Sequence, residues 1–235
     1  MANTTSGSYT FDKNLGIDEI IEDAYERIGI QGVSGYQLKT AKRSLNILFS
    51  EWGNRGVHLW KVELNEVALV AGTPTYSVPS NVSDVLEAYI STTPTAQNNT
   101  NTQDVTLTKV DRSAYQAIPN KYQTGQPSQY FVDRQITPTI SLYLTPDAST
   151  YTTLKYYSIN RIEDAGSYTD DPNLPFRFLP CMASGLAYFL SQKRAPARTE
   201  MLARIYEDEM VRALREDGSR TSVYISPQTY YGDGV

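Results

Sequence analysis

The sequence predicts an α+β protein in which helices from both ends of the chain form a four-helix bundle and the middle forms an inserted antiparallel β module. Three observations lead to this prediction. Apolar residues recur at three- and four-residue steps near both ends, they alternate with a period of two across the middle, and an extended tail follows the last helix. The 235 residues can bury a sizeable core, as one large domain or two small ones.

The domain boundaries follow from the places where the periodicity changes. Residues 1–16 are mostly small and polar, and we expect them to form a flexible arm. Helical periodicity covers 17–56 and 165–218, which we assign to one discontinuous helical domain, while strand periodicity covers 57–164. Residues 219–235 carry no helix signal, so we expect an extended tail there.

Two amphipathic helices are predicted before the β module. In "IDEIIEDAYERIG" the apolar residues fall on one stripe and Gly29 is a stop signal. In "SGYQLKTAKRSLNILFSEWG" the spacing of Ser34 and Gln37 suits a capping box, and the apolar stripe extends to Trp52 before Gly53 ends the helix. The short connection between them predicts an antiparallel helical hairpin.

Two further helices are predicted after the β module. "PFRFLPCMASGLAYFLSQKR" is apolar around most of its circumference, so we expect it to be the central helix. Its small residues allow another backbone to approach closely; they are Ala183, Ser184, Gly185 and Ala187. In "APARTEMLARIYEDEMVRALREDG" Pro196 suits a first turn and Gly218 a stop. The apolar stripe of this last helix comprises Leu202, Ile205, Tyr206, Met210, Ala213 and Leu214.

The middle of the chain is rich in Val, Thr, Tyr and Pro and predicts strands. They are "LWKVELNEVALV", "TYSVP", "VLEAYIS", "DVTLTKV", "SQYFVDR", "TISLYLTP" and "TLKYYSINR", with "DRSAYQAI" as a short helix. The loop 91–103 has no apolar residue larger than Ala96, which predicts a solvated loop or a projecting finger.

The stretch "EWGNRGVHLW" marks the junction between the helical and β modules. We expect Trp52 to cap the apolar stripe of its helix, and Gly53 and Gly56 to turn the chain. Leu59 and Trp60 would then start the first strand and pack across the junction. A large aromatic residue at such a place is typical of structural packing.

Composition excludes several classes of function. A net charge of −5 and a pI near 5.0 argue against a surface that binds nucleic acid by neutralising its phosphates with Lys and Arg. The 18 Tyr against 6 Phe fit either protein interfaces or the ordinary use of Tyr in strands. No apolar run is long enough for a membrane helix, and the N-terminal residues lack signal-peptide features, so we expect cytosolic synthesis. The single Cys181 cannot form an internal disulfide, and packing is its expected role.

Few groups of residues in the sequence could act together in catalysis. His58 is the only histidine and lies in the junction turn, without a nucleophile elbow nearby. Ser184 lies among apolar neighbours, which is typical of a serine that packs between helices rather than of a nucleophile. The sequence has no phosphate-binding loop, no dinucleotide fingerprint and no His/Cys metal spacing. We therefore predict a protein that is not an enzyme, with no catalytic residue, cofactor or metal.

Some clusters of charged residues are compatible with more than one function. The acidic stretch "EDAGSYTDDPN" contains Glu163, Asp164, Asp170 and Asp171, which could bind a divalent cation or serve a carboxylate-based hydrolase, although a solvated turn before a helix is favoured. Two other groups are predicted to make charge contacts between subunits. They are the basic Lys39, Lys42 and Arg43 and the acidic Glu207, Asp208 and Glu209.

Four segments together carry a resemblance to a known family. They are "SGYQLKTAKRSLNILFSEWGNRGVHLW", "YFVDRQITPTISLYLTPD", "YYSINRIEDAG" and "LPFRFLPCMASGLAYFLSQKRAPAR…LARIYEDE". Across residues 17–225 and in the same order, they resemble the head-to-tail adaptors of short-tailed bacteriophages, also called connectors or tail tubular protein A. These are packing and turn motifs, so the resemblance transfers no catalytic residue.

The resemblance implies a structural protein of the virion that is made in the host cytoplasm. It implies a closed ring of about twelve copies beneath the portal, with the β modules directed at the tail nozzle or fibres. DNA would pass through without specific binding, and no membrane is involved. The tail would reach the portal or a neighbouring subunit, through the anchors Val223, Tyr224, Ile225, Tyr230 and Tyr231. The alternative is another tail component, such as a nozzle or fibre-attachment protein.

Overall fold

The computed structural model describes residues 15–31, 34–57, 59–92 and 103–218, and its fold is of the α+β class. Helices α1 and α2 precede the strands and helices α4 and α5 follow them, as the periodicity predicts, with the predicted short helix α3 among the strands. The helices are α1 (Ile17–Arg27), α2 (Gly35–Asn54), α3 (Arg112–Ala117), α4 (Leu179–Arg194) and α5 (Thr199–Asp217).

The end signals predicted for the first two helices take part in hydrogen bonds. Gly29 follows α1 with φ +84°, a conformation that glycine adopts without strain, and the Ile30 amide donates to the Tyr25 carbonyl at 3.0 Å. At the start of α2 the Ser34 amide donates to Oε1 of Gln37 at 2.7 Å, which is one half of the predicted capping box. Both helix ends are therefore set by local sequence.

Helix α4 lies at the centre of the helical part, with α1, α2 and α5 packed against it. Its buried residues lie around most of its circumference, as its composition predicts. Residues from both ends of the chain therefore share one hydrophobic core, which we call the helical core. Its most buried members include Ile21, Ala24, Tyr25, Leu45, Leu48, Trp52, Phe178, Cys181, Met182, Leu186, Leu190, Tyr206 and Met210.

The described residues in the middle of the chain form ten strands. They are β1 (Val62–Ala68), β2 (Thr75–Ser77), β3 (Val82–Thr92), β4 (Asp104–Thr106), β5 (Thr108–Lys109), β6 (Thr124–Gly125), β7 (Gln129–Asp133), β8 (Thr139–Tyr143), β9 (Thr145–Pro146) and β10 (Tyr151–Asn160). One four-stranded sheet has the order β1-β10-β3-β4, a second has the order β2-β8-β7-β5, and β6 pairs with β9. The long pairs are antiparallel as predicted, whereas the short pairs β5–β7 and β6–β9 are parallel.

The two four-stranded sheets bury a second hydrophobic core, which we call the sheet core. Alternate residues of each strand enter it, so that Tyr130 on β7 stands opposite Leu142 on β8, and both are buried. Its other buried members include Val85, Ala88, Ile90, Val132, Ile140, Leu154 and Tyr156. The period of two that the sequence shows is thus the pattern of burial against this core.

Two helix starts differ from the sequence prediction. Phe176–Phe178 and Pro196–Arg198 form 3-10 turns immediately before α4 and α5. Pro196 was expected in the first turn of the last α-helix, but it opens the second of these turns. The tighter turn lets the chain reverse between α4 and α5 in few residues. Nη1 of Arg198 donates to the carbonyl of Arg27 at 3.1 Å. This hydrogen bond joins the turn between α4 and α5 to the end of α1.

Candidate functional site

Trp52 lies at the end of the helical core that faces the sheets and is fully buried. Its ring centroid lies 5.9 Å from that of Phe49 and 5.6 Å from that of Phe178. Its Nε1 donates to the Tyr206 hydroxyl at 3.0 Å, and that hydroxyl donates to Glu51 at 3.1 Å. Burial raises the pKa of Tyr206, so the hydroxyl keeps its proton. Trp52 therefore joins α2, α5 and the turn before α4, and offers no ring face to a partner.

The two glycines of the junction have different roles. Gly56 has φ +78°, and the Val57 amide donates to the Trp52 carbonyl at 3.0 Å while the Gly56 amide donates to the Gly53 carbonyl at 3.2 Å. These bonds form a Schellman motif, which ends α2. Gly53 itself is still helical, and an added Cβ would meet open space. Only Gly56 turns the chain, which corrects the expectation that both glycines do so.

Trp60 differs from its prediction in secondary structure, although it packs across the junction as expected. Leu59–Lys61 form a 3-10 turn, and the strand β1 begins at Val62. The Trp60 ring packs against the helical core, with its centroid 4.8 Å from that of Phe178. The chain therefore crosses from the helices to the sheet after Trp60, because the tryptophan completes the aromatic cluster around Phe178 before the first strand starts.

A buried lysine joins the two chain segments that connect the modules. Lys61 is only 5% exposed, and its Nζ lies 3.2 Å from Oε1 of Glu163. The same oxygen accepts a hydrogen bond from Nδ2 of Asn173 at 3.0 Å. The hydrogen bond from Lys61 holds the pKa of Glu163 below its ordinary value, with Asn173 as the second cause. The sequence contained no signal for this pair, since 102 residues separate its members.

The four acidic residues for which a cation site or a hydrolase was left open all line one cavity of about 120 Å³, but two of their carboxylates are engaged by other groups of the chain. The Asp170 carboxylate accepts a hydrogen bond from the Ser167 amide at 2.6 Å and so belongs to a local turn, while Glu163 is paired with Lys61. Within the described ranges, no three His, Cys, Asp or Glu side chains are placed to hold a metal ion. A lowered pKa at Glu163 also opposes the raised value that a general acid needs at neutral pH. The geometry therefore does not favour a cation site or a hydrolase here.

A cleft of about 610 Å³ lies between α2 and the adjoining end of the first sheet. Its polar lining includes Ser50, Asn54 and Asn160, together with Asp84 and Arg134, whose charged atoms lie 3.7 Å apart. Among the described residues that line it, none is a histidine or a cysteine. These residues therefore do not include a nucleophile with an adjacent histidine base of the kind found in hydrolase triads.

The basic residues predicted for subunit contacts lie on α2, where two of the three point outward. Lys39 and Arg43 are exposed. Lys42 is half-buried, with its Nζ 5.5 Å from the ring centroid of Tyr168, in a cation–π contact within the chain. The outward basic surface is thus formed by Lys39 and Arg43.

The three acidic residues on α5 are not equivalent. Glu207 receives two hydrogen bonds from the guanidinium of Arg55, at 2.7 and 2.8 Å, and Arg55 lowers the pKa of this carboxyl. Glu209 accepts a hydrogen bond from Arg212 at 2.9 Å. Asp208 is exposed and has no ion pair within the part of the chain that the structure describes. Glu207 and Glu209, two of the three acidic residues predicted to contact a neighbouring subunit, are thus paired within the chain.

Exposed apolar side chains accompany these charges on both helices. On α2, Tyr36 and Ile47 lie on the same side as Arg43, at spacings of seven and four residues. On α5, Ile205, Val211 and Leu214 are exposed. Ile205 and Leu214 were predicted to belong to the apolar stripe that packs in the bundle, and this prediction is wrong because both are exposed. The arc of α5 that is buried in the helical core is narrower than its apolar stripe.

Several residues with predicted roles lie outside the described ranges. They are the tail anchors Val223, Tyr224, Ile225, Tyr230 and Tyr231, together with His58, the arm residues 1–14 and most of the loop 91–103.

The comparisons with known proteins bear on the fold and surfaces described above. A family model described as SU10 adaptor protein matches residues 12–229, which is most of the chain. The chain belongs to the SU10 adaptor protein family. This result supports the resemblance to phage head-to-tail adaptors. Among curated proteins, the comparison found no match.

Membership of the adaptor family implies a structural, non-enzymatic role as a component of the virion. In the described part of the chain, none of the helices is both long enough and apolar enough to cross a membrane. The junction residues around Trp52 pack inside the chain, whereas the outward faces of α2 and α5 expose charged and apolar groups. These two faces are therefore the candidate contact surfaces of this adaptor.

Proposed function

We propose that the chain is a head-to-tail adaptor of a short-tailed phage, which docks beneath the portal and extends the DNA channel towards the tail nozzle or fibres. The observation that carries the proposal is the adaptor family match over residues 12–229. In this proposal a four-helix bundle, from 17–56 and 165–218, makes the contacts between subunits, and the inserted β domain, 57–164, faces the tail. The presence of separate helical and sheet cores supports this division into a helical domain and a β domain.

Subunits associate in a ring through the outward faces of α2 and α5. The α2 face carries Lys39 and Arg43, flanked by exposed apolar side chains, and the α5 face carries Asp208 between Ile205 and Val211. Opposite charges, each flanked by apolar groups, suit a contact in which α2 of one copy meets α5 of the next. Because the two faces differ, the contact is heterologous, and the closed ring of about twelve copies is the one that the resemblance to head-to-tail adaptors implies.

The β domain serves as the platform for the next tail protein. Two large apolar side chains on it are exposed far more than is usual, since Ile136 in the β7–β8 turn is 90% exposed and Tyr122 is 77% exposed. Aromatic and aliphatic groups on projecting turns are suited to pockets on a partner. The acidic balance of the chain, −5, suits a channel that lets DNA pass without holding it.

The ring contact is tested by reversing charges. The double variant Lys39→Glu with Arg43→Glu is expected to prevent ring formation, because it places two carboxylates against Asp208 of the neighbour. Adding Asp208→Lys to this variant should partly restore rings, since the charges are then exchanged. Negative-stain electron microscopy and analytical ultracentrifugation measure the ring population.

Glu22→Lys is the matched control, since Glu22 is exposed and lies on α1, which forms neither of the two proposed faces. It should form rings as the native chain does. Rings that persist in the Lys39/Arg43 double variant would refute the proposed contact between α2 and α5. Failure of the native chain to form rings, both alone and with portal protein, would refute the adaptor proposal itself.

The alternative role as a nozzle or fibre-attachment protein is favoured by the exposed Ile136 and Tyr122 on the β domain. In that role the β domain, and not the helices, would make the subunit contact. Removal of residues 219–235 separates the two roles when the chain is mixed with portal protein. An adaptor loses portal docking without its tail, whereas a nozzle protein assembles unchanged.

A further inference from the structure

Among the residues that the structure describes, the first sheet ends in an edge that is long enough to accept another strand. Within these ranges, strand β1 (Val62–Ala68) pairs with β10 on one side only. The other outer strands, β4, β2 and β5, have three, three and two residues, so β1, with seven, is the longest outer strand of the two four-stranded sheets. An open edge of this length is a template for pairing with a further segment.

The hydrogen-bond pattern shows which amides of β1 face the open side. The Leu69 amide donates to the Thr152 carbonyl at 2.7 Å, in register with the β1–β10 pairing. Because such bonds alternate along an antiparallel pair, the odd-numbered Asn65 and Val67 are the residues that bond to β10. The amides of the even-numbered residues, including Leu64 and Glu66, point towards the open edge.

Apolar groups reach this edge on both faces of the sheet. On the outer face Leu64 is 49% exposed and stands opposite the exposed Tyr157 of β10. On the inner face Val67 is only partly buried at the rim of the sheet core, opposite the buried Leu154. A strand that fits this edge needs apolar side chains on both of its faces.

The segment 221–226, "TSVYIS", has this composition. Val223 and Ile225 would lie on one face of an extended strand and Tyr224 on the other. Residues of these types favour strands, and Pro227 ends the run because it cannot donate to a ladder. The segment therefore matches β1 in length and in the distribution of its apolar groups.

The chain leaves α5 close to the start of β1. The Asp217 carboxylate is buried and bound by Arg177, whose neighbour Phe178 stacks on Trp60, two residues before β1. From Gly218 the five residues to Val223 can span about 17 Å. The contact between the Phe178 and Trp60 rings, whose centroids are 4.8 Å apart, lies between the end of α5 and β1 and is shorter than this reach.

We propose that, in the free chain, residues 221–226 pair with β1 of the same molecule as an additional strand of the first sheet. The added strand covers the Leu64 and Val67 side chains and satisfies the outward amides of Leu64 and Glu66. This inference goes beyond the adaptor role and does not depend on it, because it concerns one molecule before any partner binds.

Amide hydrogen exchange measured by NMR tests the pairing in four proteins: the full chain, residues 1–218, and the variants Tyr224→Pro and Tyr230→Pro. With Tyr224 opposite Leu64 in an antiparallel pairing, the Tyr224 amide faces β1, so proline at 224 removes a ladder hydrogen bond. Proline at 230 lies outside the segment and is the matched control. In the full chain and the Tyr230→Pro control, the Leu64 and Glu66 amides should exchange about tenfold or more slowly than in the other two proteins. The Asn65 and Val67 amides bond to β10 and should stay protected in all four, which verifies that the sheet is folded.

Three outcomes would overturn the proposal. Fast exchange of Leu64 and Glu66 in the full chain would mean that the edge is open. Slow exchange that persists in Tyr224→Pro would mean that another segment, such as residues 1–14, covers it. Protection that rises with protein concentration would assign the edge to a second copy of the chain. If the truncated chain does not fold, the two proline variants still decide between these outcomes.

Discussion

The contact between α4 and α5 depends on one position without a side chain. A Cβ atom at Gly185 would lie 2.8 Å from Cε2 of Tyr206 and 3.0 Å from Cδ1 of Leu48. The sequence analysis expected a backbone to approach this small-residue patch, but the aromatic ring of Tyr206 fills it. Small residues in a helix predict close packing without specifying which group packs there.

Gly185→Ala is therefore expected to destabilise the protein by about 1–3 kcal/mol, because both neighbours are buried and cannot retreat freely. The matched control is Gly53→Ala, at an exposed helical glycine where the new methyl group meets open space. That change should stabilise the protein by about 0.5–1 kcal/mol through helix propensity. Urea unfolding measures both, and equal effects of the two substitutions would contradict the packing argument.

Cys181 is expected to resist alkylation in the native protein. The thiol is fully buried in the helical core, and burial raises its pKa to about 12. Since the thiolate is the reactive form, iodoacetamide should modify Cys181 only after unfolding in guanidinium, as mass spectrometry would show. Rapid modification of the folded chain at mildly alkaline pH would place the thiol at the surface and contradict the packing of α4.

Arg55 joins the end of α2 to α5. Its Nη atoms bond the Glu207 carboxylate, its Nε bonds Glu51 at 2.9 Å, and its guanidinium lies 5.3 Å from the ring centroid of Tyr206. The sequence analysis placed both helices correctly but treated Glu207 as a contact for a neighbouring subunit, and that role remains a prediction. Residues 55 and 207 are 152 positions apart, and no local pattern connects them.

The coupling free energy of Arg55 and Glu207 should be at most about 1 kcal/mol, because the Glu207 side chain is half exposed and screened by solvent. The pKa of Glu207 is lowered in the folded state from about 4.5, chiefly by the hydrogen bond from Arg55. The contribution is thus complete above that value and is lost as the pH falls through the lower folded value. A double-mutant cycle with Arg55→Ala and Glu207→Ala at neutral pH and at about pH 3 measures this. A coupling free energy that is the same at about pH 3 as at neutral pH would contradict the assignment of this coupling to the ionised Glu207 carboxylate.

The described part of the chain contains two hydrophobic cores joined at Trp60 and Lys61. Both tryptophans of the protein pack with the helical core, so their fluorescence reports on that core alone. The sheet core contains neither of them. This distribution makes it possible to follow each part of the molecule separately during unfolding.

Ile90→Ala removes a fully buried side chain from the sheet core and is expected to cost that part about 2–5 kcal/mol. If the cores are separate domains, circular dichroism will show an earlier transition for this variant while the tryptophan transition stays unchanged. Leu186→Ala, in the helical core, is the matched control and should shift the tryptophan transition. Equal shifts of the tryptophan signal in both variants would mean that the chain unfolds as one cooperative unit.

The sequence by itself determined which segments form the helices and the main strands, the glycine stop after α1, and the burial of Trp52 and Tyr206. These features depend on spacing along a few turns or on backbone conformations that few residues adopt. Only the tertiary structure decided that Gly56 and not Gly53 ends α2, that Ile205 and Leu214 are exposed, and that β10 lies between β1 and β3. The last two of these depend on which distant segments meet, and the width of a buried face is set by its neighbours rather than by its own residues.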